Sequence, residues 1–402
     1  MNKMPKNKMF GASLLVAGTS IGAGMLALPV VTGMAGMIPT SVLFIFYWVL
    51  MLFTALLILE VNLWMGERAN MISMARKTLG YGGELIAWVA YLFLLYALMT
   101  AYLAGSGPLV VGFIKDLFGV SLPDFVGYVP LLGIFGYFVM LGAQSVDYVN
   151  RILMVGMGVA FLLMVGFLVP HVEIEKLAHS DFTALPMAVS IAATSFGFHI
   201  IIPSLTHYLK RDVPKIRQAL IVGSLMPLIV YLVWELVTLG VIPIAGPASI
   251  EAGLYEASTT SEILVDLLQN SWLSFFARMF ALFAIITSFL GVSLSLSMCI
   301  ADGLHLRRVK APAGLIDALT FIPPLLITLV YPKVFLTALE LAGVFGVIVL
   351  LCILPACMVW AGRYRKQLHG EYQAPGKKGA LIATLAFSAL LIFLECLSRF
   401  TS

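Results

Sequence analysis

The chain has 402 residues, of which 61% are hydrophobic and 11% charged, whereas about a quarter of the residues in an ordinary soluble domain are charged. This composition excludes a soluble globular protein and indicates a multi-pass membrane protein. The net charge of +4 does not indicate nucleic-acid binding, because the basic residues fall between apolar segments in a pattern typical of membrane topology.

Charged or turn-rich breaks separate the apolar runs, and roughly 20 apolar residues suffice to cross the hydrocarbon core. We predict an all-α integral membrane protein with eleven spans, numbered here in chain order. They lie at residues 10–37, 39–63, 83–108, 126–143, 151–170, 185–208, 217–243, 272–303, 313–331, 334–361 and 379–398. The acidic loop at 244–270 is expected to carry a short helix.

The basic residues orient these spans. With the N-terminus in the cytoplasm, nineteen of the 24 lysines and arginines fall in cytoplasmic segments, and the opposite loops are acidic. Cytoplasmic loops of membrane proteins carry such an excess of positive charge. The predicted topology therefore has a cytoplasmic N-terminus and a periplasmic C-terminus.

Span one has an unusual centre, which reads Gly18-Thr19-Ser20-Ile21-Gly22-Ala23-Gly24-Met25-Leu26-Ala27-Leu28-Pro29. An unpaired backbone group costs several kcal/mol in lipid, so a broken helix at this depth persists only where it lines a cavity or is buried in protein. The pattern favours a helix interrupted at a substrate site. A closely packed, glycine-rich helix is the alternative.

Span six carries a second copy, Thr194-Ser195-Phe196-Gly197, followed by Pro203. Span one runs outward and span six inward, so two five-helix halves would have opposite orientations. Paired broken segments in inverted repeats indicate the binding site of a secondary transporter. We predict repeats at 1–182 and 183–362, and a cytoplasmic loop with an eleventh helix at 363–402.

These motifs resemble those of the hydroxy/aromatic amino acid permeases, in the amino acid–polyamine–organocation superfamily. The resemblance covers nearly the whole chain and is greatest for the tyrosine-specific permeases. Its other carriers are Ile58-Leu59-Glu60-Val61, Tyr96-Ala97-Leu98 with Ala101-Tyr102, and Thr287-Ser288-Phe289-Leu290-Gly291. It implies a leucine-transporter-type fold and proton-coupled amino acid uptake across the bacterial inner membrane. Ile200 departs from the pattern, where the family tends to have glycine, and this bears on pocket size.

The two breaks supply the groups that a zwitterion needs. The N-terminal end of a half-helix attracts an anion, so we assign the substrate carboxylate to Gly22, Ala23 and Gly24. Ser20 and the opened backbone carbonyls near residues 194–196 are candidates for the ammonium group. The substrate-binding candidates are thus Ser20, Gly22, Ala23, Gly24, Thr194, Ser195 and Phe196, together with Phe198, Tyr96 and Thr100 for the side chain.

Ion coupling has two sets of candidates. His199, near mid-membrane, and Glu60, in span two, are candidates for the proton, since ionisable groups at that depth are costly. The alternative role for Glu60 is to tie span two to the broken part of span six. Glu235 is placed nearer the outer side, where its carboxylate would reach water. Thr287 and Ser288 match a hydroxyl pair that completes a sodium site in relatives of this fold, although such hydroxyls often bond their own helix.

We therefore predict a proton-coupled symporter for aromatic amino acids, most of all tyrosine. A sodium-coupled or exchange transporter of tryptophan or another neutral amino acid is the runner-up, and a channel or amino acid sensor is a remote alternative. An enzyme is not expected, because no nucleophile or metal constellation is present in the sequence. The four cysteines fall in apolar spans, and neither a cofactor nor a metal is expected. The expected partners are the amino acid and the lipid bilayer.

Overall fold

The structure is a computed structural model that describes residues 7–66, 69–303 and 314–401, without the side chains of residues 7, 303 and 398–401. Throughout these ranges the chain forms helices and connecting loops, without a strand. Several basic residues used to predict the topology, Lys3, Lys6, Arg68, Arg307, Arg308 and Lys310, lie outside the described residues.

Nine helices in the described ranges are long and apolar enough to cross a membrane, which confirms a multi-pass membrane protein. Two further segments were predicted to span. The helices Asn7–Ser20 and Gly24–Thr32 form one bent pair that counts as a tenth candidate span when the two are taken together, whereas Leu315–Val330 has only 16 residues. The nine are Met37–Leu63, Tyr81–Phe118, Asp124–Leu141, Ala143–His171, Phe182–Tyr208, Val213–Leu239, Ser271–Asp302, Phe335–Arg365 and Lys377–Leu397. The eleven-span count remains a prediction.

Several helices extend beyond their predicted bounds, since polar residues extend a helix without spanning lipid. Span three continues through Pro108 for ten further residues, to Phe118. Span five begins at Ala143 rather than 151, and its first turns carry an ion pair between Asp147 and Arg151, four residues apart. Span seven begins at Val213 because Asp212 caps it, accepting from the Lys215 N–H.

Short helices connect the spans. The amphipathic helix Met71–Leu79, which we did not predict, begins with a capping box between Asn70 and Ser73. The acidic loop before span eight carries two helices, Ile250–Glu256 and Thr260–Leu268, where one was expected. The four cysteines are free thiols.

The core brings span one against span seven, and spans three and five against span eight. Spans two, six and ten pack together on the remaining side. Span ten is wound as a wide π-helix over Ala342–Ile353. Gly343 lies there so close to the Ser190 carbonyl that a larger residue would collide with span six. The two interrupted helices are thereby held in the interior of the bundle.

Candidate functional site at two helix breaks

The predicted interruption of span one is present. The first half-helix ends at Ser20, the second begins at Gly24, and the two are bent by 56°. The Ala23 N–H donates to the Ser288 Oγ at 3.0 Å, whereas within the described ranges the Gly22 N–H has no acceptor. A Cβ at Gly22 would overlap the Ser288 Oγ, so a larger residue here would displace the hydroxyl that accepts from Ala23.

The predicted interruption of span six is present as well. The α-helix Val189–Ser195 stops before residues 196–198, and a 3₁₀ turn, His199–Ile201, leads into the helix Ile202–Tyr208. Pro203 lies in the first turn of this last helix, where its missing N–H costs nothing. Span six is therefore two half-helices joined by three non-helical residues.

The two breaks touch each other. A Cβ added at Gly24 would lie 2.8 Å from the Ser195 Oγ and 3.6 Å from the Ser195 Cα. Span six therefore contacts the start of the second half-helix of span one, and a Cβ at Gly24 would require the Ser195 hydroxyl to move. Ala23, Ser195 and Phe196 are each at most 2% exposed, so the breaks are closed to solvent in this conformation.

Tyr231 of span seven joins the breaks, and sequence reasoning missed it. Its hydroxyl lies 2.7 Å from the Ser20 carbonyl and 3.0 Å from the Ser195 carbonyl. Both carbonyls belong to the last residue of a half-helix, where backbone acceptors are left over and the helix dipole is negative. A hydroxyl has only one hydrogen, so at any moment it satisfies one of the two carbonyls fully. The buried Ser20 Oγ has no partner among the described residues.

The predicted aromatic residues divide into two groups. Phe196 packs edge-on against Tyr231, with centroids 5.2 Å apart, and against Phe44 at 5.6 Å. Phe198 is also buried and packs beside the ring of His199. Tyr96, in contrast, donates to the Leu319 carbonyl at 2.7 Å. The phenylalanines therefore belong to the break, whereas the Tyr96 hydroxyl is held by the helix Leu315–Val330.

The other predicted hydroxyls mostly bond their own helices. Thr100 donates to the Tyr96 carbonyl, Thr194 to the Ser190 carbonyl and Ser195 to the Ile191 carbonyl. Thr287 likewise lies 2.8 Å from the Phe283 carbonyl of its own helix. Of the predicted sodium-type pair, only Ser288 contacts the break in span one. Ile200 is 38% exposed, so its side chain does not fill the space between the breaks.

His199 is fully buried, and its Nε2 lies 2.8 Å from the Thr54 Oγ1 of span two. Among the described residues its Nδ1 has no hydrogen-bond partner. The ring is thus held at one nitrogen, beside the break, with the other nitrogen available for a proton or a substrate hydroxyl.

Glu60 forms a structural tie, as one of its two predicted roles required, but with a different partner, and its role in proton coupling stays a prediction. Its carboxylate accepts from Arg363 Nε at 2.7 Å, forms an ion pair with the same guanidinium, and accepts from the Ala374 N–H at 2.7 Å. It therefore ties span two to the end of span ten and the following loop, and the predicted tie to span six is wrong.

Two further contacts were not predicted. The Trp234 Nε1 donates to the Met25 carbonyl at 3.0 Å, and Tyr102 lies beside both Ser288 and Tyr231. In sequence these are single aromatic residues within apolar spans, where most aromatic residues pack against lipid or core. Nothing local marks them, because their partners are backbone carbonyls and hydroxyls of other spans.

The chain is similar in sequence to known membrane permeases. A model of the tryptophan/tyrosine permease family matches residues 5–395. The chain is 36% identical to tyrosine-specific transport system 1 of Haemophilus influenzae over 96% of both chains. It is 33% identical to tyrosine-specific transport system 2 of the same organism, over 98% of this chain and 97% of that protein.

A third relative is the tryptophan-specific transport protein of H. influenzae, which is 31% identical over 89% of this chain and 88% of that protein. These matches confirm the resemblance drawn from the two Thr-Ser-x-Gly motifs. They also confirm that the chain is a permease and not an enzyme. The chain belongs to the tryptophan/tyrosine permease family.

Proposed function

We propose that this permease imports aromatic amino acids, tyrosine foremost, across the bacterial inner membrane by proton-coupled alternating access. The observation that carries the proposal is the meeting of two helix breaks at Gly24 and Ser195, with the Tyr231 hydroxyl within reach of both. The tyrosine-specific and tryptophan-specific relatives support the aromatic substrate class.

The proposed fold is the leucine-transporter type, in which two inverted five-helix repeats, 1–182 and 183–362, precede an eleventh helix. In it Leu315–Val330 counts as a short ninth span, the N-terminus is cytoplasmic and the C-terminus periplasmic. The central interruption of spans one and six, five spans apart, supports this arrangement.

The backbone at the breaks presents both N–H groups and carbonyl groups, whose opposite partial charges match the two charged ends of a zwitterion. The Gly24–Thr32 helix presents its positive end, and the Gly22 N–H is free to bind the carboxylate. The carbonyls of Ser20 and Ser195 form the negative side and share the single Tyr231 hydrogen. An ammonium group has three N–H donors, so it can satisfy the carbonyl to which the Tyr231 hydroxyl is not donating.

The aromatic ring of the substrate would lie toward Phe196 and Phe198. Aromatic pairs contribute about 0.5–1.5 kcal/mol beyond area burial, which favours an aromatic over an aliphatic substrate by roughly tenfold at most. Because Gly24 touches Ser195 in this conformation, the half-helices must separate to admit the substrate. Binding and movement are therefore linked at the same contact.

Direct transport measurements test the proposal. Purified protein in proteoliposomes should accumulate labelled tyrosine when the lumen is alkaline, without sodium. Accumulation driven by sodium alone would contradict proton coupling. Saturable counterflow at equilibrium excludes a channel, and concentrative uptake excludes a sensor.

A second candidate is a sodium-coupled or exchange transporter of tryptophan or another neutral amino acid. It is favoured by one observation, the contact of the Ser288 hydroxyl with the span-one break. Thermal stabilisation of the detergent-purified protein by each amino acid ranks the substrates, because stabilisation follows ligand concentration relative to Kd. This candidate would be supported if tryptophan stabilised the protein more than tyrosine and if sodium increased the stabilisation by tryptophan.

A further inference from the structure

Glu235 of span seven is a buried carboxyl group that the mechanism above does not use. The side chain is fully buried, so the expectation that it reaches water is wrong. Among the described residues, its carboxyl group is hydrogen-bonded to the Thr32 Oγ1, which lies 3.1 Å from both carboxyl oxygens. Thr32 is the last residue of the second half-helix of span one.

The number of hydrogens at this contact determines the state of the carboxyl. The Thr32 hydroxyl has one hydrogen and lies closer to the Leu28 carbonyl, at 2.7 Å, than to Glu235. When that hydrogen goes to Leu28, the Thr32 oxygen can only accept, so Glu235 must be the donor. A donor carboxyl is a protonated one. Were it charged, a single long hydrogen bond would have to compensate for full burial, which is far too little.

No cation is present to change this conclusion within the described part of the chain. Among the described residues, no lysine, arginine or histidine nitrogen lies within 4 Å of the Glu235 carboxyl. Tyr47, Glu175 and His207 lie on helices packed against span seven, but the side chain hydrogen-bonded to Glu235 is that of Thr32. Other titratable groups near span seven have partners of their own. They are Lys8 over the Tyr208 ring, Glu60 with Arg363, Asp147 with Arg151, Lys176 with Glu173 and Val241, His179 with the Met34 carbonyl, and Glu262 with Thr259.

Glu235 lies on the face of span seven that holds span one. Tyr231, Trp234 and Glu235 follow one another at the spacing of a single helix face, and each bonds span one. Their partners on span one run from Ser20, which precedes the break, to Thr32, which is the last residue of the second half-helix. A shift of the second half-helix relative to span seven therefore changes the surroundings of the carboxyl.

A path to water begins one turn further along. A cavity of about 250 Å³ is lined by Gly33, which follows Thr32, and by Leu239, one turn beyond Glu235. Glu175, Lys176 and His179 also line it, in the loop predicted to face the periplasm. The cavity therefore lies one residue from Thr32 and one turn from Glu235 along their helices.

We propose that Glu235 is a proton-binding site of the transport cycle, coupled to the movement of the second half-helix of span one through Thr32. The carboxylate takes a proton from water in the cavity beside Gly33 and Leu239, and the resulting acid donates to Thr32 as the half-helix closes. The proton returns to water when the half-helix moves away again. The inference rests on the proposed proton coupling.

The test is Glu235→Gln, which keeps the shape and the donor of the protonated acid but cannot release a proton. In proteoliposomes, this variant should retain tyrosine counterflow within about threefold of wild type. Concentrative uptake driven by a pH gradient should fall at least tenfold. Glu256→Gln, at an exposed carboxylate of the adjacent loop, is the matched control and should behave as wild type.

Each outcome has a distinct meaning. If a pH gradient drives no tyrosine uptake by the wild-type protein, the proposed function itself is contradicted. If it drives uptake equally in wild type and in Glu235→Gln, only the proposed role of Glu235 is overturned. A Glu235→Gln protein that does not fold, or that has lost counterflow, also overturns it, because a neutral acid tolerates a neutral amide of the same shape.

Discussion

The two helix breaks have the same Thr-Ser-x-Gly motif but are stabilised in different ways. The break in span one uses small residues. Gly22 and Gly24 bring the backbone against the Ser288 and Ser195 hydroxyls, which would have to move to admit a Cβ. The break in span six has large buried side chains, since Phe196 packs against rings of spans two and seven and Phe198 packs beside His199 of its own span. The first break thus presents backbone to a ligand, whereas the second presents side chains.

This division assigns different tasks to the two segments. Under the proposed function, backbone N–H groups at a half-helix end would bind the carboxylate that every amino acid possesses, so span one would recognise the class. Aromatic rings distinguish one amino acid side chain from another, so span six would contribute selectivity. Among the described residues, Tyr231 is the one side chain that bonds both breaks, and it would link recognition to movement. The predictions below test this division, from the largest expected effect to the smallest.

Gly24→Leu should abolish tyrosine uptake while leaving membrane insertion intact. Any Cβ at this position lies 2.8 Å from the Ser195 Oγ, and the larger side chain would force the breaks apart and fill the space between them. Uptake and surface-labelled protein should be measured together. The control is Gly291→Leu, at an open, exposed glycine of span eight, which should transport normally. Normal uptake by Gly24→Leu would move the pocket elsewhere.

Phe196→Ala should destabilise the protein by about 3–5 kcal/mol and reduce tyrosine binding more than binding of an aliphatic amino acid. The ring packs against both Tyr231 and Phe44, so its removal leaves a cavity at the break. Thermal unfolding with a series of amino acids measures both effects. Phe393→Ala, at a 61%-exposed position of span eleven, is the control. An equal loss for all amino acids would show that span six does not determine selectivity.

Tyr231→Phe should lower stability by about 1–3 kcal/mol and tighten tyrosine binding by up to about tenfold, because the substrate ammonium then satisfies carbonyls that have lost their donor. The buried carbonyls of Ser20 and Ser195 lose their shared donor, and an unsatisfied buried acceptor has a cost of this size. Binding isotherms and thermal unfolding provide the two values. Tyr137→Phe, at an exposed tyrosine of span four, should change neither. Unaltered affinity in Tyr231→Phe would mean that these carbonyls do not bind the ammonium group.

Ser288→Ala should have the smallest effect, with uptake reduced less than tenfold and still driven by a pH gradient. The Ala23 N–H loses an acceptor 3.0 Å away, at a cost of about 0.5–1.5 kcal/mol. Ser295→Ala, which removes an exposed hydroxyl from the same helix, is the matched control. The measurement is uptake under separate proton and sodium gradients. Loss of a sodium response found in wild type would instead favour the sodium-coupled alternative.

Local sequence was sufficient to locate the breaks and most spans. A glycine, a hydroxyl-bearing residue or a proline stands out within an apolar run, and the length of the run shows whether it can cross the membrane. The anion site predicted at residues 22–24 rests on the same local features and stays a prediction. The predicted bounds of spans three and five were less accurate. A helix can continue beyond the lipid, and apolar content alone does not show where it ends.

Side-chain partners were not accessible in this way. Glu60 was expected to bind span six but is paired with Arg363, 303 residues later in the chain. Tyr96 was expected near the substrate but bonds Leu319. Tyr231 and Glu235 have ordinary positions in an apolar helix, and their roles depend on carbonyls and a hydroxyl from other spans.

The sequence by itself determined that this chain is an all-helical membrane protein, that two of its helices are interrupted, and where. These properties depend on composition and on backbone chemistry within short segments. Only the tertiary structure decided which groups meet at the breaks and which buried carboxyl is paired with a cation. Hydrogen bonds and ion pairs join residues far apart in sequence, and they form only when the helices take their places in the bundle.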